Sequence, residues 1–475
     1  MPTPRAAAPR RGNFRVAISP GSRRDGLMNN PFPPFLSLTL MAVSPVAADT
    51  ANAACPAPTV SASTAIPPPP AWLDGLARDY DLQLRTPGLE QRTFQPELWW
   101  QVVTPLLTRA RGFHVEEIGR SAEGRPLRHV RWGEGQTSVL LWSQMHGDES
   151  TASMALADLF RFLGEHPDDP RVTRLRRQVT LHFMPIVNPD GAARFQRNNA
   201  QGIDLNRDAR ALSSPEARAL KALHDRVHPA FGFNLHDQRV GYRVGATDRG
   251  AAITLLAPPF DAARSVDAVR ARAIEVAAVI RLALEPSIAG HIGRWDDSFN
   301  PLAFGDLMTQ WGTSVILIES GGIEGDPEKQ QLRKLNFLAL VAGLDAIATG
   351  RHAGISHAFY DELPQNGRVI SDLLIRDGIL ALPGTTPVRA DLRVDFKHPL
   401  AWRDGRIVEI GDLAQAEARR VVDARGLYIT PLDGEDSALP IQERSARLRF
   451  SRDPEGKDVV WVLDRDLPEE IPGSR

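Results

Sequence analysis

An apolar run, Val139-Leu-Leu-Trp142, empties through Ser-Gln-Met into His146-Gly-Asp-Glu149, and a stretch with helical periodicity begins at Thr151. Strand, turn and helix in that order constrain the chain strongly, because a short apolar run suits a buried strand and the residues after it carry a 3.6-residue repeat. A histidine and a glutamate three apart at such a turn can face one centre. They offer one nitrogen and one oxygen donor of the kind Zn²⁺ accepts. The site then needs a third ligand from elsewhere in the chain.

Around this turn the alternation continues. Residues 180–186 predict a strand stopped by Asn188-Pro-Asp-Gly191, and Ser213-Ser-Pro-Glu216 predicts a capped helix over 217–227. Residues 230–235, 253–257 and 313–318 read as strands, 265–284 as a long helix ended by Pro286, and 329–348 as a last helix. Together they predict an α/β fold, a mixed central sheet flanked by helices, with the site beyond the strand ends. After Gly350 the texture changes to short strands at 369–375, 388–394, 406–410 and 458–463, separated by Asp-Gly and Gly-rich turns. That is a small all-β module. A chain of 475 residues accommodates this division: a tail and Pro-rich linker over 1–70, an α/β domain over 71–350 and an accessory β-sandwich-like domain over 351–475.

The tail has its own signals. Arg10, Arg11, Arg23 and Arg24 precede a short apolar run at 34–48 that ends in small residues, the order of a secretory signal cleaved after Ala48. Export to the periplasm or outside the cell is therefore expected. No other apolar run is long enough to span a bilayer, so the mature chain should carry no integral membrane segment. Cys55 is the only cysteine, which excludes an internal disulfide and a thiolate metal cluster within one chain. A lipid anchor at Cys55 is not expected, since leucine does not stand three residues before it. A formal net charge of −2, without a long basic stripe, leaves no electrostatic footprint for nucleic acid.

Further along, His236 follows the strand at 230–235, placed like His146 at a strand exit, and is the expected third ligand. Two histidines and a carboxylate with an open position make a hydrolytic zinc site. Glu319 ends the apolar strand at 313–318, where packing explains a carboxylate poorly and a general base explains it well. Gly202-Ile-Asp-Leu-Asn206-Arg207 reads as a strand-like alternation that delivers an asparagine and an arginine suited to a carboxylate, and Arg197 lies just before it. One arginine could hold a substrate carboxylate and the other an oxyanion. His224 and His228 share i, i+4 spacing but read as a solvated helix face. His182 reads as a core or edge residue, and Asp237 as either an orienting neighbour of His236 or a loop cap.

The ordered set His146-x-x-Glu149, Asp204-Leu-Asn206-Arg207, Leu235-His236 and Ile318-Glu319 resembles the zinc metallocarboxypeptidases of the carboxypeptidase A-like type, over about 98–350. The resemblance implies that His146, Glu149 and His236 bind zinc and that Glu319 is base and proton shuttle. It implies that Arg197 faces the oxyanion, while Asn206 and Arg207 grip the terminal carboxylate of a peptide. One departure stands out: the family's tyrosine some twenty residues before the glutamate is missing from 293–304, where Trp295 or Phe299 could cover substrate but supply no phenol. The C-terminal stretch, from Leu373-Leu-Ile-Arg-Asp-Gly378 to Val421-Val-Asp-Ala-Arg-Gly426, is similar to the small β-sandwich beside amidohydrolase barrels, without the barrel or its histidines. The expectation is a zinc carboxypeptidase acting on a peptide or small amide. Two alternatives are an amidase or deacylase on N-acyl amino acids or cell-wall peptides, and a non-catalytic relative that binds carboxylates.

Overall fold

Strands buried on both faces set the architecture. The computed structural model describes residues 70–432 and 439–471; the signal-like run, Cys55 and nearly all of the Pro-rich linker lie outside the described residues. The first nine strands are β1 Phe113–Arg120, β2 Pro126–Gly133, β3 Thr137–Ser143, β4 Val179–Met184, β5 Phe231–Asp237, β6 Tyr242–Val244, β7 Ile253–Leu256, β8 Ile292–Arg294 and β9 Ser314–Ser320. All but β6 join one mixed sheet in the order β1-β2-β4-β3-β5-β9-β7-β8. Its centre, β4, β3, β5 and β9, is parallel. Every residue of β5 and β9 is buried, as strands covered by helices on both faces require.

The period-two alternation of β3 shows how the two faces are filled. Val139 and Leu141 pack with the helices Thr151–Glu165, Ala268–Ile288 and Gln330–Thr349, while Leu140 and Trp142 pack with Pro215–Val227 and Phe304–Gln310. The expected α/β architecture is therefore the observed one. Three local expectations differ. Pro286 does not end its helix, which continues to Ile288, because a proline so near the terminus removes little of the hydrogen-bond ladder. Residues 205–207 form a 3-10 turn in place of a strand-like stretch, since the Asp204 carboxylate accepts the Asn206 N–H and curls the chain. His224 is buried against Trp311 and bonded to Thr313 Oγ1 at 3.0 Å, so it does not belong to a solvated face.

Beyond the last long helix, Phe359, Tyr360 and Leu363 still pack into the core of the α/β part. The strand β10 Asn366–Val369 then pairs with β6, and the C-terminal strands follow as β11 Ser371–Leu380, β12 Val388–His398, β13 Arg403–Gly411, β14 Ala418–Asp423, β15 Tyr428–Pro431, β16 Arg447–Ser451 and β17 Val459–Asp464. They form a seven-stranded sheet that branches at β11, where β14 and β15 both pair in parallel. This sheet closes over its own apolar cluster around Leu373, Leu392, Phe450 and Leu463. No helix among the described residues is long and apolar enough to cross a membrane.

A buried ion pair fastens the helices behind the site. Arg333 Nε and Nη2 donate to Asp158 at 2.7 and 2.6 Å, and Tyr80 Oη donates to the same carboxylate at 2.6 Å. Both charged side chains are fully buried, and Arg333 also donates to the carbonyls of Thr86 and Leu89. Removing one partner strands the other charge, a loss of about 3–5 kcal/mol. Asp158→Ala should lower the unfolding free energy by that amount, read as a shift of the guanidinium midpoint at an unchanged slope.

Candidate functional site

Parallel strands bring their carboxyl ends to one edge of a sheet, and three such ends build this site. Ser143 of β3 pairs with Leu235 of β5, and His236 pairs directly with Glu319 of β9. The turn after β3 then folds His146 and Glu149 over these positions. Gly147 is obligatory in that turn, because a Cβ there would lie 2.1 Å from the Gly191 carbonyl carbon. The expected ligands His146, Glu149 and His236 meet, all three buried.

Glu149 sits between the two imidazoles. His146 Nδ1 lies 2.7 Å from its Oε1, His236 Nδ1 lies 2.8 Å from its Oε2, and the two ring nitrogens are 3.2 Å apart. The Asp237 N–H donates to Glu149 Oε2 at 3.1 Å, which fixes the carboxylate further. Burial alone would depress the His146 imidazole, but Glu149 and Asp204 outweigh it and hold its pKa up at about 9. For His236, burial wins and the ring favours its neutral form. Burial would raise Glu149, yet the two histidines pull it well below the usual carboxylate range. A field that retains a proton at His146 also favours a cation there. Two nitrogens and a carboxylate within 4.8 Å of one another match the donor set of a hydrolytic zinc centre.

Asp204 carries a role that its place in the motif did not reveal. Its Oδ1 lies 3.1 Å from His146 Nε2, while its Oδ2 accepts from Arg197 Nε and Nη2 at 3.1 and 3.0 Å. One carboxylate therefore orients a ring whose Nδ1 faces the centre and an arginine whose Nη1 reaches to 3.3 Å from that same Nδ1. Arg197 is thus brought to the centre, as expected. Asp237 also proves to be structural support: its Oδ2 accepts from Thr151 Oγ1 at 2.6 Å and from the buried Lys329 Nζ at 2.9 Å. His182 belongs elsewhere, 3.0 Å from His129 across β4 and β2.

In front of the triad lies a cavity of about 840 Å³. Arg197, Asn206, Arg207 and Glu319 line it with His146 and Glu149, while His236 stays behind them. Asn206 Oδ1 accepts the Phe304 N–H at 3.0 Å, which sets the plane of its amide, and Arg207 Nη1 donates to the Asn206 carbonyl at 2.8 Å. Glu319 is only 8 % exposed, its Oε2 has no hydrogen-bond partner, and burial with nearby Glu149 pushes its pKa well up. Trp295 and Phe299 line the cavity too, and so does a residue the sequence did not single out, Tyr242 of β6. Its ring meets Trp295 edge-on at 5.1 Å; burial, then the charge of Glu319, raises its phenol. The C-terminal module also contributes to the wall, through Ile370, Asp372, Asp395, Phe396, Lys397 and Pro399.

If Asp204 orients His146 for metal binding, Asp204→Asn should weaken zinc affinity by about 10–100-fold with little change in stability. Competition against a chromophoric chelator measures the first quantity and denaturant unfolding the second.

Comparison with known proteins bears on this geometry. The family model described as Peptidase_M14, zinc carboxypeptidase, matches residues 108–232, a stretch that holds His146, Glu149, Arg197, Asn206 and Arg207 but stops short of His236 and Glu319. An uncharacterised protein of Zymomonas mobilis is 32% identical over 130 residues, 26% of this chain and 34% of that protein. Carboxypeptidase SOL1 of Arabidopsis thaliana is 34% identical over 98 residues, 19% of this chain and 20% of that protein. The chain thus spans about a third and a fifth of these two relatives. A metallo-carboxypeptidase structure from Burkholderia cenocepacia aligns with a TM-score of 0.44 at 20% identity, over 56% of this chain and 71% of that one. The resemblance expected from the motifs is thereby shown: over residues 108–232 the chain matches the zinc carboxypeptidase family.

Proposed function

We propose that this protein is a zinc-dependent carboxypeptidase that hydrolyses an amide bond next to a free carboxylate. The observation that carries the reading is the meeting of His146, Glu149 and His236 behind a cavity that also presents Glu319, Arg197 and Arg207. His146, Glu149 and His236 would hold the ion, which supplies Lewis acidity toward water and carbonyl. Arg207, with Asn206 beside it, takes the terminal carboxylate of the substrate, since a guanidinium fork suits that planar anion. Arg197 donates from Nη1 to the carbonyl oxygen as it gains charge, its other nitrogens staying on Asp204.

Glu319 moves the proton. Burial beside Glu149 raises its affinity for a proton, so its carboxylate can take one from the attacking water. As the new carbon–oxygen bond forms and the carbon–nitrogen bond breaks, Glu319 returns that proton to the departing amine. Tyr242 offers a phenol to the same cavity from β6 and can cover the substrate where the 293–304 segment has no tyrosine. The signal-like run at 34–48 supports an exported protein. An amidase or deacylase on small N-acyl amino acids is a second reading, favoured by the wall that the C-terminal module raises along the cavity.

A peptide library digested with and without a chelator tests metal dependence and cleavage position together. Loss of single C-terminal residues, blocked by C-terminal amidation and by chelation, is the expected result; indifference to amidation would favour the amidase. Glu319→Gln should keep its zinc and lower kcat/KM by about 10²–10⁴. Hydrolysis that survives this change, or a protein that binds no zinc, would overturn the reading and favour a binding role.

A further inference from the structure

Arg92 is a buried cation that the proposed reaction does not use. Its residue is 7 % exposed, it lines the cavity, and its Nε has no hydrogen-bond partner. Among the described residues the single polar contact of its guanidinium is a long one, Nη2 to the Asp148 carbonyl at 3.5 Å. Asp237, Asp148 and Glu328 act on it through space, yet none of them pairs with it. Asp237 Oδ2 is occupied by Thr151 and Lys329, and Glu328 Oε2 accepts the backbone N–H of Arg92 itself. Arg92 thus has counter-charge nearby but no carboxylate in contact, and a buried guanidinium in that position gains a direct charge-assisted hydrogen bond when an anion arrives.

A second cation approaches the same aromatic ring as Arg92. The Arg92 guanidinium lies 5.0 Å from the centre of the Phe195 ring, and Lys397 Nζ of β12 lies 5.7 Å from the same ring. His398 stacks on that ring at 5.4 Å, so the group joins two loop residues of the α/β part to β12 of the C-terminal sheet. Lys397 also lines the cavity, is exposed, and forms no ion pair among the described residues. Arg207 has a different setting, on the Asn206 carbonyl beside the Phe304 helix. A carboxylate held by Arg207 therefore leaves Arg92 and Lys397 for another group.

The geometry points to an anion-binding subsite, formed by Arg92 and Lys397, that takes an acidic group of the substrate upstream of the bond cleaved. It rests on the hydrolase reading and adds a substrate class to it: peptides or acyl amino acids with a second carboxylate on the acyl side. The C-terminal module is then part of substrate selection through Lys397.

The test is binding to the zinc-loaded full chain carrying Glu319→Gln, by titration calorimetry. The probes are two matched pairs, N-acetyl-Ala-Glu-Leu with N-acetyl-Ala-Gln-Leu, and N-acetyl-Glu-Ala-Leu with N-acetyl-Gln-Ala-Leu. In at least one pair the acidic member should bind about tenfold more tightly, as a charge-assisted contact provides. Lys397→Gln and Arg92→Gln should each bring that pair toward parity. Should Arg92→Gln fail to fold, Lys397→Gln decides alone, because its side chain is exposed. Parity of both pairs in the parent chain, or a preference that persists in Lys397→Gln, overturns the subsite. Cleavage by the unsubstituted enzyme keeps the two ideas apart. Equal cleavage within both pairs rejects the subsite and leaves the hydrolase, whereas preferential binding without cleavage rejects the hydrolase and leaves the subsite.

Discussion

The parallel register of β3, β5 and β9 is the constraint on which the site rests. Pairing His236 with Glu319 and Leu235 with Ser143 puts an imidazole, a carboxylate and the start of the His146–Glu149 turn at one level. A slip of one residue would turn His236 to the opposite face and carry Phe231, Phe233 and Leu235 out of the cluster they now fill. Burial on both faces prevents such a slip. Phe231, Phe233 and Leu235 interlock with Ile316 and Ile318 in one cluster, so the packing that stabilises the sheet also aligns the chemistry.

Register alone would leave three donors crowded and badly aimed. Two imidazole nitrogens 3.2 Å apart are tolerable because a carboxylate bridges them, and that carboxylate is itself held by a backbone N–H. Asp204 performs the complementary task from the side, binding the far nitrogen of His146 and two nitrogens of Arg197. A neutral residue there would free both groups at once. The 3-10 turn at 205–207 follows from the same side chain, whose Oδ1 also takes the Asn206 N–H. Asp204 thus positions Asn206 and Arg207 by bending the chain that carries them.

Much of this was legible in the sequence because the informative signals were local. His146, His236 and Glu319 each stand at the end of an apolar run, and runs of that kind read as strands whatever their partners. Asp204 stands within the Asp204-Leu-Asn206-Arg207 motif, but its link to His146 spans 58 positions and no periodicity encodes it. Tyr242 is separated from Glu319 by a long stretch of sequence and lines the cavity from β6, a three-residue strand whose partner β10 lies far along the chain. His224 was misread for a related reason: helical spacing describes the face of an isolated helix, whereas Thr313 and Trp311 cover that face in the fold.

The C-terminal module changes what the α/β part can be by itself. The chain that leaves His236 passes at once to Arg239, which pairs with Asp395 of β12, and to Gly241, whose carbonyl accepts from Ile370 N–H. Tyr242 and Val244 then pair with β10. This loop is held from two sides: the Gln238 N–H donates to the Ser320 carbonyl and the Ala251 N–H to the Tyr242 carbonyl, while Arg239, Gly241 and the strand Tyr242–Val244 are tied to residues after the last long helix. A short segment that follows His236 and carries a phenol into the cavity would lose the second set of restraints without those residues, and loosely held segments open at little free-energy cost. The C-terminal residues therefore form part of the outer wall of the site, since they tie down the backbone that follows His236 and lend charged side chains to the cavity.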